Sequence, residues 1–378
     1  MTYIPSNSAS IYVHIPFCLR KCNYCDFASY PNRQGDMDLY MQTLLSEAKN
    51  AQKKYGKFSV PSIYIGGGTP TILPGKYIKK ILDTLQSLYF IEENAEITIE
   101  GNPGTLAREW LMVAKHAGAN RLSFGAQAFQ EELLLLLGRI HTRAQIDEAI
   151  YMARDAGFSN LNLDLMYALP NQTIEQWEGS LECAMSLGVE HISCYSLIPE
   201  EGTPLTERLK QGEISLPDEE TVLAMQSLAV KVLARGGLMR YEISNYAKKG
   251  FESRHNMGYW RRTDYLGIGC ASHSLMRGER FCNSSSLDAY LAGEIGIDRT
   301  VLTPCEEVEE AIMLETRTVA GIDLKEFRMR YGIDFAKQYA HGVNILCKNG
   351  LALCDEKNFR LTADGLNVQN AAVLALIG

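Results

Sequence analysis

Strand-like and helix-like patterns of apolar residues alternate through the first two thirds of the chain. The segments SIYVHI, SVPSIYI, AEITIE, RLSFGAQ, LNLDLMY and HISCYSLI are short and rich in β-branched residues, which predicts a strand at each. Between them, apolar residues recur at helical spacing. Leu44, Leu45, Ala48 and Ala51 share one face of a helix predicted over 36–55. Helices are also predicted over 75–89 and 105–117. Two helical stretches follow the fourth strand; the run Leu133–Leu137 reads as a buried face, and Ile146, Ile150 and Ala153 align in the second stretch. Trp177, Leu181 and Ala184 align over 173–187. Six strand–helix units imply a parallel sheet, and six are too few for a closed eight-stranded barrel.

The pattern changes downstream. Residues 199–217 are rich in Pro and Gly, a helix is predicted over 218–235, and YEISNYA is strand-like. Residues 251–286 read as irregular and are dense in His, Tyr, Trp and Gly. From Thr303 onward, helical stretches at 305–319, 323–331 and 334–349 precede two short strand-like pieces near Gly350 and Phe359, a layout that looks like a small winged-helix-type domain. The expected division is an α/β barrel over 1–240, an irregular linking region over 241–302 and a C-terminal helical domain over 303–378.

Composition narrows the function classes. A chain of 378 residues with 46% hydrophobic and 22% charged residues is that of a globular protein with an ample core. A formal net charge of −8 argues against a nucleic-acid partner, and Glu306, Glu307, Glu309 and Glu310 would oppose phosphate contact by the C-terminal domain. The first ten residues carry neither a basic start nor an apolar core, and no apolar run is long enough to span a bilayer. A reducing cytoplasm is the expected location, with any membrane contact peripheral.

The chemistry concentrates in IYVHIPFCLRKCNYCDF, where Cys18, Cys22 and Cys25 are spaced C-x-x-x-C-x-x-C. Clustered thiolates select iron–sulfur clusters or zinc. Structural zinc sites close with four ligands, and no partner pair lies downstream: the other seven cysteines form no second metal pattern. Three ligands on a four-iron cluster leave one iron open to a small chelating molecule. The Gly66-Gly67-Gly68-Thr69-Pro70 turn lacks the Lys-Ser/Thr of a phosphate-binding loop, and its glycines let a ligand approach the backbone closely.

With Tyr12-Val-His14-Ile-Pro-Phe before the triplet, Asp26-Phe27 after it and GGGTP downstream, the sequence resembles the radical SAM superfamily, in the branch that holds the oxygen-independent coproporphyrinogen III dehydrogenases and the haem chaperones. The resemblance implies a three-quarter (β/α)6 barrel and a [4Fe–4S] cluster on Cys18, Cys22 and Cys25. It also implies S-adenosylmethionine (SAM) bound by its amino and carboxylate groups to the open iron. Tyr12, Gly67, Gly68, Thr69, Glu100, Gln127, Arg139 and Asp164 match SAM-contacting positions of that branch. An acid at a strand end suits ribose hydroxyls, and the arginine fork suits a carboxylate. Taken singly, each residue fits a structural hydrogen bond or ion pair equally well. His14 reads as a core or supporting histidine.

Residues 254–260, Arg-His-Asn-Met-Gly-Tyr-Trp, match the H-N-x-x-Y-W motif of the haem-chaperone family. The resemblance implies haem as cargo, with His255 as axial ligand and Tyr259 and Trp260 against the macrocycle; His273 is a second ligand candidate. The residues alone also fit an aromatic anchor that packs a loop. Phe27 stands where the dehydrogenases carry a fourth cysteine, and seventeen residues precede Cys18, fewer than in those enzymes. The expectation is a haem chaperone that passes haem to apo-haemoproteins. The alternative is a coproporphyrinogen III dehydrogenase, in which SAM cleavage to a 5′-deoxyadenosyl radical drives propionate decarboxylation. A DNA-binding winged-helix protein has only the C-terminal domain in its favour.

Overall fold

The computed structural model describes residues 7–378, so six of the ten N-terminal residues read above lie outside it. Six parallel strands form its centre: β1 (Ser10–Ile15), β2 (Ser59–Gly67), β3 (Phe90–Gly101), β4 (Arg121–Gln127), β5 (Leu161–Tyr167) and β6 (His191–Ser196), paired in that order. Helices α1 (Met37–Tyr55), α2 (Gly75–Leu88), α3 (Arg108–His116), α4 (Glu131–Leu137), α5 (Arg143–Asp155) and α6 (Ile174–Ser186) occupy the connections. This is the expected three-quarter barrel. In the Leu133–Leu137 run, Leu133, Leu134 and Leu137 are buried while Leu135 is exposed.

The strand sequences alternate for a physical reason. Val13, Ile65, Ile99, Leu122 and Leu161 stand in one row across five strands, and all are fully buried. That row faces outward, under the helices. Each fully buried aliphatic side chain of this kind contributes about 1.5–3 kcal/mol. The neighbouring row, Tyr12, Tyr64, Thr98 and Arg121, is polar and faces the lumen. The barrel thus has an aliphatic outer coat and a polar interior.

The stretch expected to be irregular continues the sheet. Helices α7 (Pro204–Lys210) and α8 (Glu219–Arg235) follow β6; after them β7 (Met239–Arg240) and β8 (Asn245–Ala247) extend the β6 edge, and β9 (Tyr265–Ile268) joins the other edge parallel to β1. Then β10 (His273–Met276), β11 (Glu279–Cys282) and β12 (Ile297–Val301) follow antiparallel, giving a twelve-stranded sheet. Glycine disguised these strands. At Gly267 a Cβ would lie 2.2 Å from the His273 carbonyl oxygen, so this close turn needs glycine inside a strand.

The 254–260 segment is also regular. It is a helix, α9 (Arg254–Trp260), capped by Ser253. Glu96 at the start of the lumen-facing part of β3 accepts from the backbone N–H groups of Arg254 (3.1 Å) and His255 (3.2 Å). A carboxylate at a helix N-terminus is favoured by the unpaired N–H groups there. It seats α9 against the N-terminal ends of the barrel strands.

The C-terminal part has its own core of Val308, Ile312, Phe327, Phe335, Phe359 and Leu361. Its first helix, α10 (Pro304–Glu315), carries Glu307 and Glu310, which clamp the Arg262 guanidinium at 3.1 and 2.5 Å. The segment expected as one helix over 334–349 is two, Phe335–Gln338 and Ala340–Lys348. A three-stranded ribbon of Ile322–Asp323, Asn358–Leu361 and Ala352–Cys354 completes a winged-helix-like unit. Among the described residues, no helix is long and apolar enough to cross a membrane.

Candidate functional site: a thiol-lined pocket at the barrel mouth

The cluster loop leaves β1 and is tied down along its length. Tyr30 N–H donates to the Pro16 carbonyl (2.7 Å), and His14 Nε2 meets the Ala28 carbonyl at 2.9 Å. Asn23 donates from its backbone and side chain to Leu137 and Leu136, both at 2.9 Å, anchoring the loop to the end of α4. The Gly66–Thr69 turn closes from the other side. Gly68 N–H donates to Ile15 and Thr69 N–H to Phe17, each at 2.8 Å, and Thr69 Oγ1 lies 3.3 Å from Cys18 Sγ.

Cys18, Cys22, Cys25, Gly67, Gly68, Thr69, Glu100, Gln127, Arg139 and Asp164 all line one cavity of about 490 Å³ at the C-terminal ends of the strands. Parallel barrels place their chemistry at this end, where loops converge over a rigid frame. Arg139 Nη1 points at Cys22 Sγ (3.4 Å), its Nη2 donates to the Gly125 carbonyl, and its buried Nε has no protein partner among the described residues. Burial pushes the Cys18 and Cys25 thiols up, opposed at Cys18 by the Thr69 hydroxyl.

Two carboxyl groups face the same space. Glu100 accepts from Tyr64 O–H (2.7 Å) and Gly67 N–H (3.0 Å); burial, with the nearby Asp164 charge, pushes its pKa up to about 7. Asp164 accepts from Asn162 (2.8 Å) and Ser123 (3.3 Å), and burial raises it as well. Gln127 holds φ +68° at a register shift between β4 and β5. A non-glycine residue in that region is costly and recurs at binding sites.

These features fit a cluster and SAM. Gly68 brings bare backbone to the cluster loop: a Cβ there would lie 2.6 Å from the Phe17 oxygen and 3.1 Å from Cys18 Sγ. The orphaned Arg139 Nε and the lumen-facing carboxyl groups are polar atoms that a polar ligand would satisfy. Among the described residues, no three His, Cys, Asp or Glu side chains are gathered round a single-ion site. The thiols instead border a cavity with room for a multi-atom group.

Other expected residues lie elsewhere. Tyr12 stands below the pocket lining, and its hydroxyl is bonded to His14 Nδ1 at 2.9 Å. His255, Tyr259 and Trp260 sit on α9 at the far end of the barrel. His255 is 1% exposed, with Nδ1 on Ser62 Oγ (2.9 Å) and Nε2 on Tyr259 O–H (2.8 Å). Both nitrogens are therefore engaged. Trp260 is partly exposed beneath the Arg317 guanidinium, 4.8 Å from the ring centre. His273 is exposed on β10. Sequence reasoning missed Tyr24, Tyr64, Ser123, Met166 and Tyr195, which also line the cavity. Apart from Tyr24 on the cluster loop, all face the lumen two residues from an assigned lining residue or on a neighbouring strand, so strand alternation was the available signal.

Known proteins share this architecture. Residues 12–184 match the radical SAM superfamily, whose members hold a [4Fe–4S] cluster and SAM, and residues 302–368 match the HemN C-terminal domain. The solved structure of the coproporphyrinogen III oxidase HemN from Escherichia coli superposes with a TM-score of 0.84 at 24% identity, covering 99% of this chain and 91% of that one. That likeness establishes the fold. The heme chaperone HemW of Bacillus subtilis (strain 168) is 36% identical over 375 residues, 98% of this chain and 99% of its own. The heme chaperone HemW of Escherichia coli (strain K12) is 39% identical over 266 residues, 70% of this chain and 69% of its own. A match that runs nearly end to end through both chains at such identity settles the lineage, and the chain belongs to the HemW family of the radical SAM superfamily.

Proposed function

We propose that this chain is a haem chaperone: it binds haem and passes it to apo-haemoproteins in the cytoplasm, without a nucleic-acid partner and with at most peripheral membrane contact. The observation that carries the reading is the near end-to-end similarity to heme chaperones of the HemW family. In this reading Cys18, Cys22 and Cys25 hold a [4Fe–4S] cluster. Gly67, Gly68 and Thr69 cradle the methionyl end of SAM. Glu100 and Asp164 accept from its hydroxyls, Arg139 pairs with its carboxylate, and Gln127 completes the rim. Tyr12 acts one step removed, steadying His14 and through it the Ala28 carbonyl of the cluster loop.

Phe27 supports the chaperone over the dehydrogenase. It is 62% exposed at the pocket mouth, where the dehydrogenases carry a further thiol, and it presents an apolar ring instead. Haem ligation by His255 requires its ring, 1% exposed and bonded through Nε2 to Tyr259 on the same helix, to come free of the barrel floor and of that bond. The test is haem titration of the reconstituted protein, followed by mixing with an apo-haemoprotein. Stable uptake and transfer support the proposal; no uptake, or uptake without transfer, refutes it. His255→Ala separates the haem ligand: an unaltered Soret band excludes His255 and moves attention to His273.

A further inference from the structure

We infer that His255 is a positioning residue for the SAM pocket: from the barrel floor it fixes the ring of Tyr64, and through Tyr64 the Glu100 carboxyl. The inference rests on the proposed reading of Glu100 as a SAM contact.

The geometry runs up the lumen in three steps. Ser62 and Tyr64 are two residues apart on β2, so their side chains stand one above the other on the same face. His255 bonds to Ser62 Oγ at 2.9 Å and lies against the Tyr64 ring, 5.2 Å between centroids and 31° between planes. Tyr12 packs on the same pair, 6.3 Å from Tyr64 and 6.5 Å from His255. The Tyr64 hydroxyl then donates to Glu100 Oε1 at 2.7 Å, while Glu100 Oε2 takes the Gly67 N–H at 3.0 Å. One carboxyl oxygen is thus held by the glycine turn. The other is held by a tyrosine whose ring rests on His255.

The histidine suits this task. Ser62 O–H donates to Ser10 Oγ (2.8 Å), so the His255 Nδ1 proton goes to Ser62, and Nε2 accepts from Tyr259 O–H (2.8 Å). Both nitrogens are satisfied in one neutral tautomer. Burial holds the imidazole pKa down at about 3, so the ring stays an uncharged wedge at neutral pH. Tyr259 is braced in turn by the edge-on Tyr265 ring at 4.7 Å, and α9 by Glu96. Tyr64 and Tyr12 are only partly buried and face open lumen, so the wedge beneath them limits their motion.

The test uses the full chain with its cluster reconstituted and reads SAM affinity by equilibrium dialysis with labelled SAM. His255→Ala is expected to weaken binding roughly three- to tenfold, the range for losing one ordering hydrogen-bonded contact, with cluster iron unchanged. His255→Gln, which can still bond Ser62 or Tyr259, should recover part of the loss. Glu100→Gln should weaken binding by itself, and adding His255→Ala to it should cost little more, because the two act in series. Full additivity in that cycle would mean that His255 acts by general destabilisation and would overturn the inference. Normal affinity in His255→Ala beside weakened Glu100→Gln would overturn it while leaving the SAM reading intact. Normal affinity in Glu100→Gln would remove the SAM reading and the inference with it. Should His255→Ala fail to fold, Tyr64→Phe deletes one oxygen and tests the same link: a loss like that of Glu100→Gln supports it, and unchanged affinity overturns it.

Discussion

Gly68→Ala is the most informative single change at the pocket mouth. The added methyl would lie 2.6 Å from the Phe17 carbonyl oxygen, 2.8 Å from that of Ile15 and 3.1 Å from Cys18 Sγ. Two of the three obstacles are backbone atoms, which cannot rotate away. Both belong to the strand and loop that present Cys18, and both accept hydrogen bonds from this same turn. Relief therefore means moving the cluster loop off the turn. Overpacking of this kind costs about 1–3 kcal/mol, and the rigid carbonyls place the expected loss in the upper half of that range. Gly35→Ala is the control, since a methyl there meets nothing within 4 Å; it should be neutral or stabilise by up to about 1 kcal/mol. Urea unfolding of the cluster-free proteins measures both changes, and iron content after anaerobic reconstitution measures the site. A Gly68→Ala protein with unchanged stability and full iron loading would refute the close-approach role of this glycine.

Replacing Cys18, Cys22 and Cys25 together with Ser should abolish the visible absorption of the cluster and nearly all reconstituted iron; retention of a normal cluster would place its ligands elsewhere. Arg139→Ala and Asp164→Ala each remove a buried charged contact worth about 1.5–3 kcal/mol, so dialysis should show SAM binding weakened roughly tenfold or more, and unchanged affinity in both would sink the assignment. Glu100 keeps its proton to about pH 7, and only the ionised form offers both oxygens as acceptors, so SAM affinity should rise as pH passes upward through about 7 and Glu100→Gln should flatten the profile. The same raised pKa means that the SAM-free protein loses stability as pH climbs from the ordinary glutamate value of 4.5 through about 7, because the unfolded chain releases the proton first; urea titrations across that window check the sign.

The six barrel strands were legible because each is a short apolar run between helices of clear 3.6-residue period. Their order in the sheet followed from the chain order. The pocket residues were legible as a group because Gly67, Glu100 and Gln127 end or nearly end their strands, while Asp164 lies at the middle of β5 and still reaches the same cavity. Other features were hidden for identifiable reasons. The partner of Asn23 lies 113 residues away, a distance that no local pattern encodes. Strand β9 is four residues long and carries Gly267, the residue that most weakens a strand signal. Helix α9 has seven residues, one of them buried, so it shows no apolar stripe; its existence depends on the Ser253 cap and on Glu96, which lies far away in sequence. The ligand role of His255 came from the resemblance, while its own sequence context also fitted a packed aromatic anchor, and the structure buries its ring against Ser62 and Tyr64. Those polar neighbours line a barrel whose interior, unlike its coat, is built of serine, tyrosine and carboxyl groups.

The most direct test sets haem binding against porphyrin chemistry in one preparation. Protein reconstituted anaerobically with its cluster, and supplied with SAM and a reductant, is given coproporphyrinogen III in one vessel and haem in another. The expected result is stable haem uptake that an apo-haemoprotein can draw off, with no protoporphyrinogen formed. Multiple turnovers of coproporphyrinogen III to protoporphyrinogen, without haem retention, would contradict the chaperone reading and restore the dehydrogenase.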